Sequence, residues 1–375
     1  MDLPKISIIF PIYKKSKYLQ TNIEKILKDP YPNNLKEIII SIDSPEDYFL
    51  NKLMELKNKY SNITLVISKD RRGKVSATND AVRISSGEIL FFFDSDTIIN
   101  YINIKGIVEE LKEYDIIEFY KEIIRKGWLG YLMFIEFSSY FDIIDPILNK
   151  TKKPLFLNGS GFATKKSVWN DVGGYSRVYV EDVDFAMKAG KKGYKYYMSK
   201  DIKLLIEPLK GLRQWIEQRK RWSFGLIEVI LNHLDYMADF FIHNLLTSML
   251  ILLLLYLPYI IWTYIYIYLP VSFLYQIAIN IYENLSKNIS FIYLIILSPS
   301  SIFKVFYILY LPLLYTIITS AYIYLLISIK RRNLYNFPLF ILFSILYIPL
   351  YEIIIIYDII YYGIFEKAPK MNWKV

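Results

Sequence analysis

The sequence predicts an α/β domain with a mainly parallel sheet, followed by an α-helical transmembrane region. Two observations carry this prediction. Short β-rich runs alternate with segments of helical spacing over residues 1–238, a pattern typical of a parallel sheet with helices on both faces. The remaining residues, 239–375, contain long stretches without charge.

Four β-rich runs and three helical segments make up the alternation. The runs cover residues 5–10, 37–42, 63–67 and 89–93, and the helical segments cover residues 18–27, 48–60 and 75–85. Ligands of such sheets bind beyond the carboxyl ends of the strands. Acidic residues occur there, since Asp43 follows the second strand, and Asp94 and Asp96 follow the fourth.

Three apolar stretches are each long enough to cross a bilayer, which needs about 20 residues. They cover residues 240–282, 305–329 and 333–362, and the only Asp, Glu, Lys or Arg residues within them are Glu352 and Asp358. The basic residues 330–332 are expected to face the cytoplasm. We therefore expect a multi-pass protein of the plasma membrane with a short cytoplasmic C-terminal tail. The number of crossings stays open.

The composition narrows the chemistry and the partners. The chain has no cysteine, which excludes disulfides, thiolate catalysis and Cys-ligated metals. It has only two histidines, which disfavours a His-based zinc site. The net charge of +9 is expected to favour binding to anionic lipid headgroups rather than to nucleic acid, because no basic run is long. No signal-peptide pattern precedes the first strand, so we expect the α/β domain to be cytoplasmic.

The strongest local pattern comprises Asp94, Ser95 and Asp96, directly after the apolar run 89–93. Two carboxylates at the end of a buried strand can place oxygen atoms around one hard cation. Mg²⁺ or Mn²⁺ held in this way completes its shell with substrate phosphates and acts as a Lewis acid on a diphosphate leaving group. The alternative is an acidic turn that only caps the strand.

Arg72 and Lys74 flank Gly73 at the start of a predicted helix. The glycine permits close approach of a phosphate, and the N-terminus of a helix favours an anion. A solvated basic turn is the alternative reading of this segment.

Glu181 and Asp182 open another predicted helix, which runs to residue 189. Acidic residues in a first turn can simply complement the helix dipole. The functional alternative is that Asp182 is a general base, which takes the proton of an attacking hydroxyl and contributes about 10²–10⁴-fold to the rate.

Two further segments contain residues suited to a second substrate. Gly159, Ser160 and Gly161 form a polar turn in which glycine allows close approach of a ligand. An ordinary turn is the alternative.

Gln218, Arg221 and Trp222 belong to a predicted amphipathic interfacial helix near residues 210–224. They are either membrane anchors or a site in which Trp222 packs on a sugar ring and Arg221 pairs with phosphate oxygens.

In their order along the chain these motifs resemble glycosyltransferase family 2, an inverting group with the GT-A fold. The group includes cellulose, hyaluronan and poly-N-acetylglucosamine synthases and ceramide glucosyltransferase. The similarity covers residues 5 to about 225, and the apolar stretches that follow fit as well. The matching positions are 6–13, 43, 72–74, 87–89, 94–96, 159–162, 173, 174, 181, 182, 218, 221 and 222.

The resemblance implies a Rossmann-like GT-A domain that transfers a sugar from a nucleotide diphosphate sugar, with UDP favoured, to a lipid or glycan acceptor. It implies that Asp43 and Asp94 contact the nucleotide, that Asp96 ligates the metal, that Lys74 lies near the donor and that Asp182 is the base. It places Gln218, Arg221 and Trp222 on the diphosphate and acceptor side. Asp43 departs from the family, because many members have two aspartates there.

Two other functions are compatible with the sequence. The first is a processive polysaccharide synthase that also secretes its product, although about three spans with almost no ionisable residues are few for a polar channel. The second is a catalytically inactive membrane scaffold. An inactive protein has no reason to keep four candidate site residues, and the sequence contains Asp94, Asp96, Asp182 and Arg221. The sugar, the acceptor and the oligomeric state are not specified by the sequence.

Overall fold

The structure, a computed structural model, describes residues 3–253, 276, 279, 280, 283, 317–332 and 336–365. The chain divides into two compact units. One unit comprises Met1–Thr247 together with Leu350–Val375, and the other comprises Ser248–Pro349. The first unit contains the sheet and all the candidate site residues.

The strands are β1 (Ile6–Tyr13), β2 (Lys36–Asp43), β3 (Ile63–Ser68), β4 (Ile89–Phe93), β5 (Thr97–Ile102), β6 (Ile116–Ile123), β7 (Gly161–Lys165) and β8 (Tyr196–Ile206). They form one sheet in the order β3-β2-β1-β4-β7-β6-β8-β5. Strands β1 to β4 are parallel to their neighbours within this group. β7 is antiparallel to both β4 and β6, whereas β8 is parallel to β6 and antiparallel to β5. The sheet is therefore mixed: the expected parallel pairing holds throughout the first four strands, and among the later strands only β6 and β8 pair in parallel.

The helices of this unit are α1 (Leu19–Lys28), α2 (Asp47–Lys59), α3 (Lys74–Ile84), α4 (Ile104–Glu110), α5 (Gly127–Ser139), α6 (Asp145–Leu148), α7 (Lys166–Val172), α8 (Glu181–Lys191), α9 (Leu212–Asn232) and α10 (Leu234–His243). The C-terminal helix is Ile348–Phe365, and its residues 350–365 also belong to this unit. A π-helical turn, Tyr140–Ile144, connects α5 to α6. The three helical segments predicted from spacing are confirmed as α1, α2 and α3.

Strand β1 explains why the parallel half of the sheet is stable. Its side chains from Ile6 to Ile12 are all buried, so both of its faces are covered. Ile6, Ile8, Phe10 and Ile12 join one apolar cluster with residues of α1 and α2. α3 also contacts β1 and β2, but its buried residues lie outside that cluster. A strand that is covered in this way must be apolar along its whole length.

The apolar stretches are described only in part. Among the described residues one helix, Phe337–Phe365, is long and apolar enough to cross a membrane. The helices Leu234–His243 and Leu245–Leu253 meet at a bend of 95°, and they are long enough to cross only if the two count as one span. Most of the predicted stretches 240–282 and 305–329 lies outside the described residues. The described part of the chain therefore gives at most one or two candidate spans and does not support a multi-pass arrangement.

Candidate active site

The candidate residues from the first part of the chain meet at the carboxyl edge of the parallel strands. Asp43 is the last residue of β2, Asp94 directly follows β4, and Lys74 is the first residue of α3. Parallel strands that lie side by side bring their carboxyl ends to one edge. Residues that are distant in sequence therefore share one polar surface, as the sequence predicts.

Asp43 holds the turn that precedes α3. Its Oδ2 accepts hydrogen bonds from the backbone N–H groups of Arg72 (2.7 Å) and Gly73 (2.8 Å), and its Oδ1 accepts from Arg72 Nε (3.1 Å) and Nη2 (3.0 Å). Gly73 has a φ of +92°, a conformation that glycine adopts without strain. Asp43 is only 2% exposed, so water cannot solvate its charge, and the hydrogen bonds from this turn compensate it instead. Contact of Asp43 with a nucleotide stays a prediction.

Lys74 lies among three carboxylates. Its Nζ is 2.8 Å from Asp94 Oδ1 and 3.4 Å from Glu181 Oε1. Burial lowers the pKa of Lys74, but the charges of Asp94, Glu181 and Asp182 raise it by more, so the pKa lies above its usual value. Burial raises the pKa of Glu181, which Lys74 opposes and Asp182 reinforces. Lys74 is thus a permanent cation that links the Asp94 segment to the start of α8.

Asp94 forms an ion pair with Lys74, whereas its neighbour Asp96 forms none with another residue of the described part of the chain. Its side chain keeps contact with solvent, yet desolvation and the charge of Asp94 raise the pKa of Asp96 to about 6. Two carboxylates that repel each other in this way suit a hard cation. The described residues contain no group of three or more His, Asp or Glu side chains that could hold a metal ion. Two carboxylates fit Mg²⁺ or Mn²⁺ only if substrate phosphates or water complete the shell.

Asp182 is oriented by backbone groups on both sides. Its Oδ2 accepts a hydrogen bond from the Gly159 N–H at 2.6 Å, and its Oδ1 accepts from the Val183 N–H at 2.9 Å. A Cβ at position 159 would lie 2.8 Å from Asp182 Oδ2 and 2.9 Å from Asp182 Cβ. Glycine at position 159 therefore lets the backbone N–H reach the Asp182 carboxylate, and any residue with a Cβ would displace that carboxylate.

The turn that contains Gly159 is also joined to the Asp94 segment. The Asp94 N–H donates to the Ser160 carbonyl at 3.2 Å, and the Ser160 hydroxyl donates to Asn158 Oδ1 at 2.7 Å. Gly161 is buried as the first residue of β7, which pairs with β4. The polar turn, the acidic pair and the first turn of α8 consequently form one connected surface.

The α9 motif is packed around Arg219, a basic residue that the sequence does not single out. Arg219, rather than Arg221, is completely buried, and it pairs with Glu136 of α5. Its guanidinium lies 4.3 Å from the centre of the Trp222 ring, and Nη1 donates to Gln218 Oε1 at 2.8 Å. Arg221 is half-buried and makes no ion pair with another described residue. Arg219 therefore orders the segment, and Arg221 retains a guanidinium without a protein counterion among the described residues.

Sequence reasoning missed a buried polar network behind the site. Lys121 donates to Glu118 Oε1 at 2.8 Å, and the Tyr196 hydroxyl lies 2.7 Å from Glu118 Oε2 and 3.0 Å from Asp145 Oδ1. Burial, followed by the charge of Glu118, raises the pKa of Asp145 to about 8. Since the Tyr196 hydroxyl has one proton, hydrogen bonds to both carboxyl groups require a proton on Asp145 or on Glu118. The available signal was Glu118 and Lys121 between the apolar residues of a strand that also contains Glu122.

This network reaches the candidate site through one amide. Glu118 Oε1 also accepts a hydrogen bond from the Asn158 N–H at 3.3 Å, and Asn158 adjoins Gly159, which holds Asp182. Burial raises the pKa of Glu118 and lowers the pKa of Lys121, while the attraction between the two opposes both shifts. The network thus supports the turn from the side opposite to Asp182.

Comparison with known proteins identifies the family. The model of glycosyl transferase family 2 matches residues 7–166, and that of glycosyl transferase family group 2 matches residues 89–275. The chain belongs to glycosyltransferase family 2. This agrees with the resemblance of its motifs, and the chain spans 59% of the length of the first curated relative that it matches.

Two relatives and one solved structure illustrate how far the similarity extends. The chain is 25% identical over 250 residues to the probable glycosyltransferase YdaM of Bacillus subtilis, which covers 64% of this chain and 59% of YdaM. It is 32% identical over 98 residues to the UDP-Glc:alpha-D-GlcNAc-diphosphoundecaprenol beta-1,3-glucosyltransferase WfgD of Escherichia coli, which covers 26% of this chain and 37% of WfgD. The mannosyltransferase PcManGT of Pyrobaculum calidifontis, solved with GDP-Man and Mn²⁺, is similar with a TM-score of 0.49 and 18% identity, over 64% of this chain and 70% of that one.

Proposed function

We propose that this family 2 glycosyltransferase inverts the anomeric carbon as it moves a sugar from a nucleotide diphosphate sugar to a lipid or glycan acceptor at the membrane. The observation that carries the proposal is the position of Asp182 beside Lys74, whose ammonium group also pairs with Asp94 and Glu181. A cation and two acidic segments suited to a diphosphate lie next to a carboxylate suited to proton transfer. A single displacement needs those two features and no enzyme nucleophile.

The donor would bind at the carboxyl edge of the sheet. Arg72 and Lys74, at the N-terminus of α3, supply positive charge for the phosphates. Asp94 and Asp96 would hold a Mg²⁺ or Mn²⁺ ion, which would act as a Lewis acid on the departing diphosphate. Asp43 would fix the turn that contains Arg72 and would also contact the nucleotide.

Proton transfer would fall to Asp182. As the acceptor hydroxyl attacks the anomeric carbon, its proton passes to an Asp182 oxygen, the new C–O bond forms, and the bond to the diphosphate oxygen breaks with its electron pair on that oxygen. The two backbone hydrogen bonds to Asp182 leave further lone pairs on its oxygens and hold it in one orientation. A fixed base of this kind contributes about 10²–10⁴-fold.

The acceptor side would comprise Gly159 and Ser160 of the polar turn together with Gln218, Arg221 and Trp222 of α9. Arg221 suits a phosphate because no described carboxylate neutralises it, and Trp222 offers a flat apolar ring to a sugar. The name of WfgD specifies a lipid-linked acceptor, which supports the same class of acceptor here, although WfgD matches only 26% of this chain. UDP-sugars are the favoured donors on family resemblance, and GDP-sugars come next.

We assign residues 1–238 to a cytoplasmic catalytic domain of the GT-A type and residues 239–375 to a membrane region with a short cytoplasmic tail. The apolar helix Phe337–Phe365 supports attachment to the membrane. A plasma membrane location with the catalytic domain in the cytoplasm would place the site where nucleotide sugars are available.

The proposal is tested by sugar transfer in purified membranes. Radiolabelled UDP- and GDP-sugars are supplied with Mn²⁺ or Mg²⁺, an EDTA control, and lipid extract as acceptor. We expect one donor to be used, in a metal-dependent way, with label in lipid. Label in a long polymer free of lipid would instead indicate a processive synthase, and no release from any donor by folded protein would indicate an inactive scaffold.

Two variants assign the roles within the active enzyme. Asp182→Asn is expected to bind nucleotide normally and to lose about 10²–10⁴-fold in turnover. Asp171→Asn, at an exposed position of α7, is the matched control and should keep ordinary turnover, whereas Glu181 belongs to the proposed acceptor and diphosphate side. Asp96→Ala should raise the metal concentration needed for donor binding. Ordinary turnover by Asp182→Asn would remove the base assignment.

A further inference from the structure

The C-terminal helix packs along α9 of the catalytic unit. The Tyr351 ring lies 6.2 Å from the Trp215 ring and the Tyr362 ring lies 5.6 Å from the Phe224 ring, measured between ring centres. The contacts follow the same direction in both helices, over about three turns of each. This segment of the helix, residues 350–365, belongs to the same compact unit as α9.

One stripe of the segment faces α9. Tyr351, Ile354, Asp358 and Tyr362 recur at helical spacing, and they include the two most buried side chains of the segment, Ile354 at 7% and Asp358 at 1% exposed. Asp358 lies opposite Ser223 and near Lys220 of α9. The carboxyl group of Asp358 lies in an otherwise apolar stretch because it packs against polar residues of α9.

The opposite face is apolar and exposed. It contains Ile353, Ile356, Tyr357, Ile360 and Ile364, which are 52–67% exposed. Charged residues border this face but do not interrupt it: the exposed Glu352 lies at its edge beside Ile356, Lys220 lies 5.6 Å from the centre of the Tyr357 ring, and Lys367, Lys370 and Lys374 follow in the sequence. An apolar face bordered mainly by cations matches the boundary between acyl chains and anionic headgroups.

The charges of α9 decide between crossing the bilayer and lying along its surface. If residues 350–365 crossed the hydrocarbon, the three turns of α9 that pack on them would enter it as well, with the exposed Glu217 and Lys220. Each charge at the centre of a bilayer costs about 2.5–3.5 kcal/mol on insertion scales. A helix that lies in the plane of the interface leaves those charges in water.

We propose that residues 350–365 form an in-plane membrane helix that seats the catalytic unit on the lipid surface, with the Ile353, Ile356, Ile360 and Ile364 face in the bilayer. Its consequence for the site is direct. Tyr351 and Trp222 contact the same guanidinium, that of Arg219, at 5.4 Å and 4.3 Å. The lipid-facing helix thus also supports the acceptor side of the site, a link that rests on the proposed function.

The absence of cysteine from the chain makes a depth measurement direct. Single cysteines are introduced at Ile353, Ile356, Ile360 and Ile364, labelled with a nitroxide, and measured by power saturation in nanodiscs that contain anionic lipid. We expect all four labels at one depth, about 5–10 Å below the headgroups. Ile354→Cys, on the stripe that faces α9, is the control and should show little contact with lipid.

Two results would overturn the proposal. Depth that changes steadily with residue number, by about 16 Å from 353 to 364, would show a crossing helix. No lipid contact at any of the four positions would show that protein covers the face. Gly363→Cys, whose Cβ would meet nothing within 4 Å, replaces any variant that fails to fold. Sugar transfer is assayed on the same samples, so equal depths in inactive protein would refute the enzymatic proposal and leave the docking proposal intact.

Discussion

Asp182 and Gly159 are in contact through a 2.6 Å hydrogen bond, and the carboxylate lies where a side chain at position 159 would otherwise begin. The position of the proposed base is therefore set by the lack of a Cβ on another segment. Motifs that are read separately in the sequence, the polar turn and the acidic helix start, are two halves of one contact.

Gly159→Ala is expected to reduce kcat about tenfold to a hundredfold, because the new Cβ displaces the Asp182 carboxylate and small displacements of catalytic groups are costly. Nucleotide affinity should change little. Steady-state transfer and nucleotide binding are both measured. Gly211→Ala is the control, since its Cβ would meet nothing within 4 Å, and an equal loss in the two variants would contradict the expectation.

Lys74→Met is expected to weaken donor binding by about tenfold to a hundredfold, in line with the loss of about 1.5–3 kcal/mol for a charged hydrogen bond. The substitution leaves Asp94, Glu181 and Asp182 without their shared cation, and a diphosphate adds further negative charge. Titration with nucleotide reports the affinity. Lys57→Met, on the exposed face of α2, should bind normally, and unchanged binding by Lys74→Met would show that Lys74 has no role in the donor site.

Arg72→Lys is expected to lower the free energy of unfolding by about 1–2 kcal/mol, which corresponds to a decrease of about 2–8 °C in Tm. Lysine cannot bridge Asp43 and Asp80 as the guanidinium does. Thermal unfolding followed by tryptophan fluorescence measures the change. Arg83→Lys is the matched control, because Arg83 pairs with the same Asp80 but its side chain is 75% exposed. Equal Tm values for the two variants would oppose a structural role for the Asp43 turn.

Asp145→Asn is expected to become progressively more stable relative to the wild type as the pH rises from about 4 to 8. Asp145 has a pKa of about 8 when folded and about 3.9 when unfolded. Its favourable contribution is therefore fully present below about 4 and is lost as the pH rises through 8. Tm is measured against pH for both proteins. Asp47→Asn, at an exposed position of α2, should give no such divergence, and parallel curves for Asp145→Asn would exclude a protonated Asp145.

The sequence predicted the first half of the sheet because its strands and helices have local signatures. β1, β2 and β4 each contain an apolar run, and Asp94 directly follows β4 where the polar edge is expected. β6 and β8 were missed because Glu118, Lys121 and Lys203 interrupt their apolar pattern. Glu118 and Lys121 pair with each other three residues apart, and Glu118 also accepts a hydrogen bond from Tyr196, 78 residues away, a partner that no local rule anticipates.

The same limit applies to α9. Arg219, Lys220 and Arg221 are consecutive, so each points about 100° away from the previous one on the helix. Which of them is buried depends on Glu136, which is 83 residues away. The helix could be predicted from its pattern, but the identity of the buried arginine required the packing of α5.

The hydrogen bond from the Asp94 N–H to the Ser160 carbonyl has a consequence for folding. It lies at the pairing of β4 with β7, two strands separated by more than 60 residues, and such distant pairings form late and slowly. The donor site is then complete only in chains that have finished folding. Bound nucleotide should accordingly protect amides of the whole sheet from hydrogen exchange, rather than those of one loop, and so act as a reporter of the fully folded enzyme.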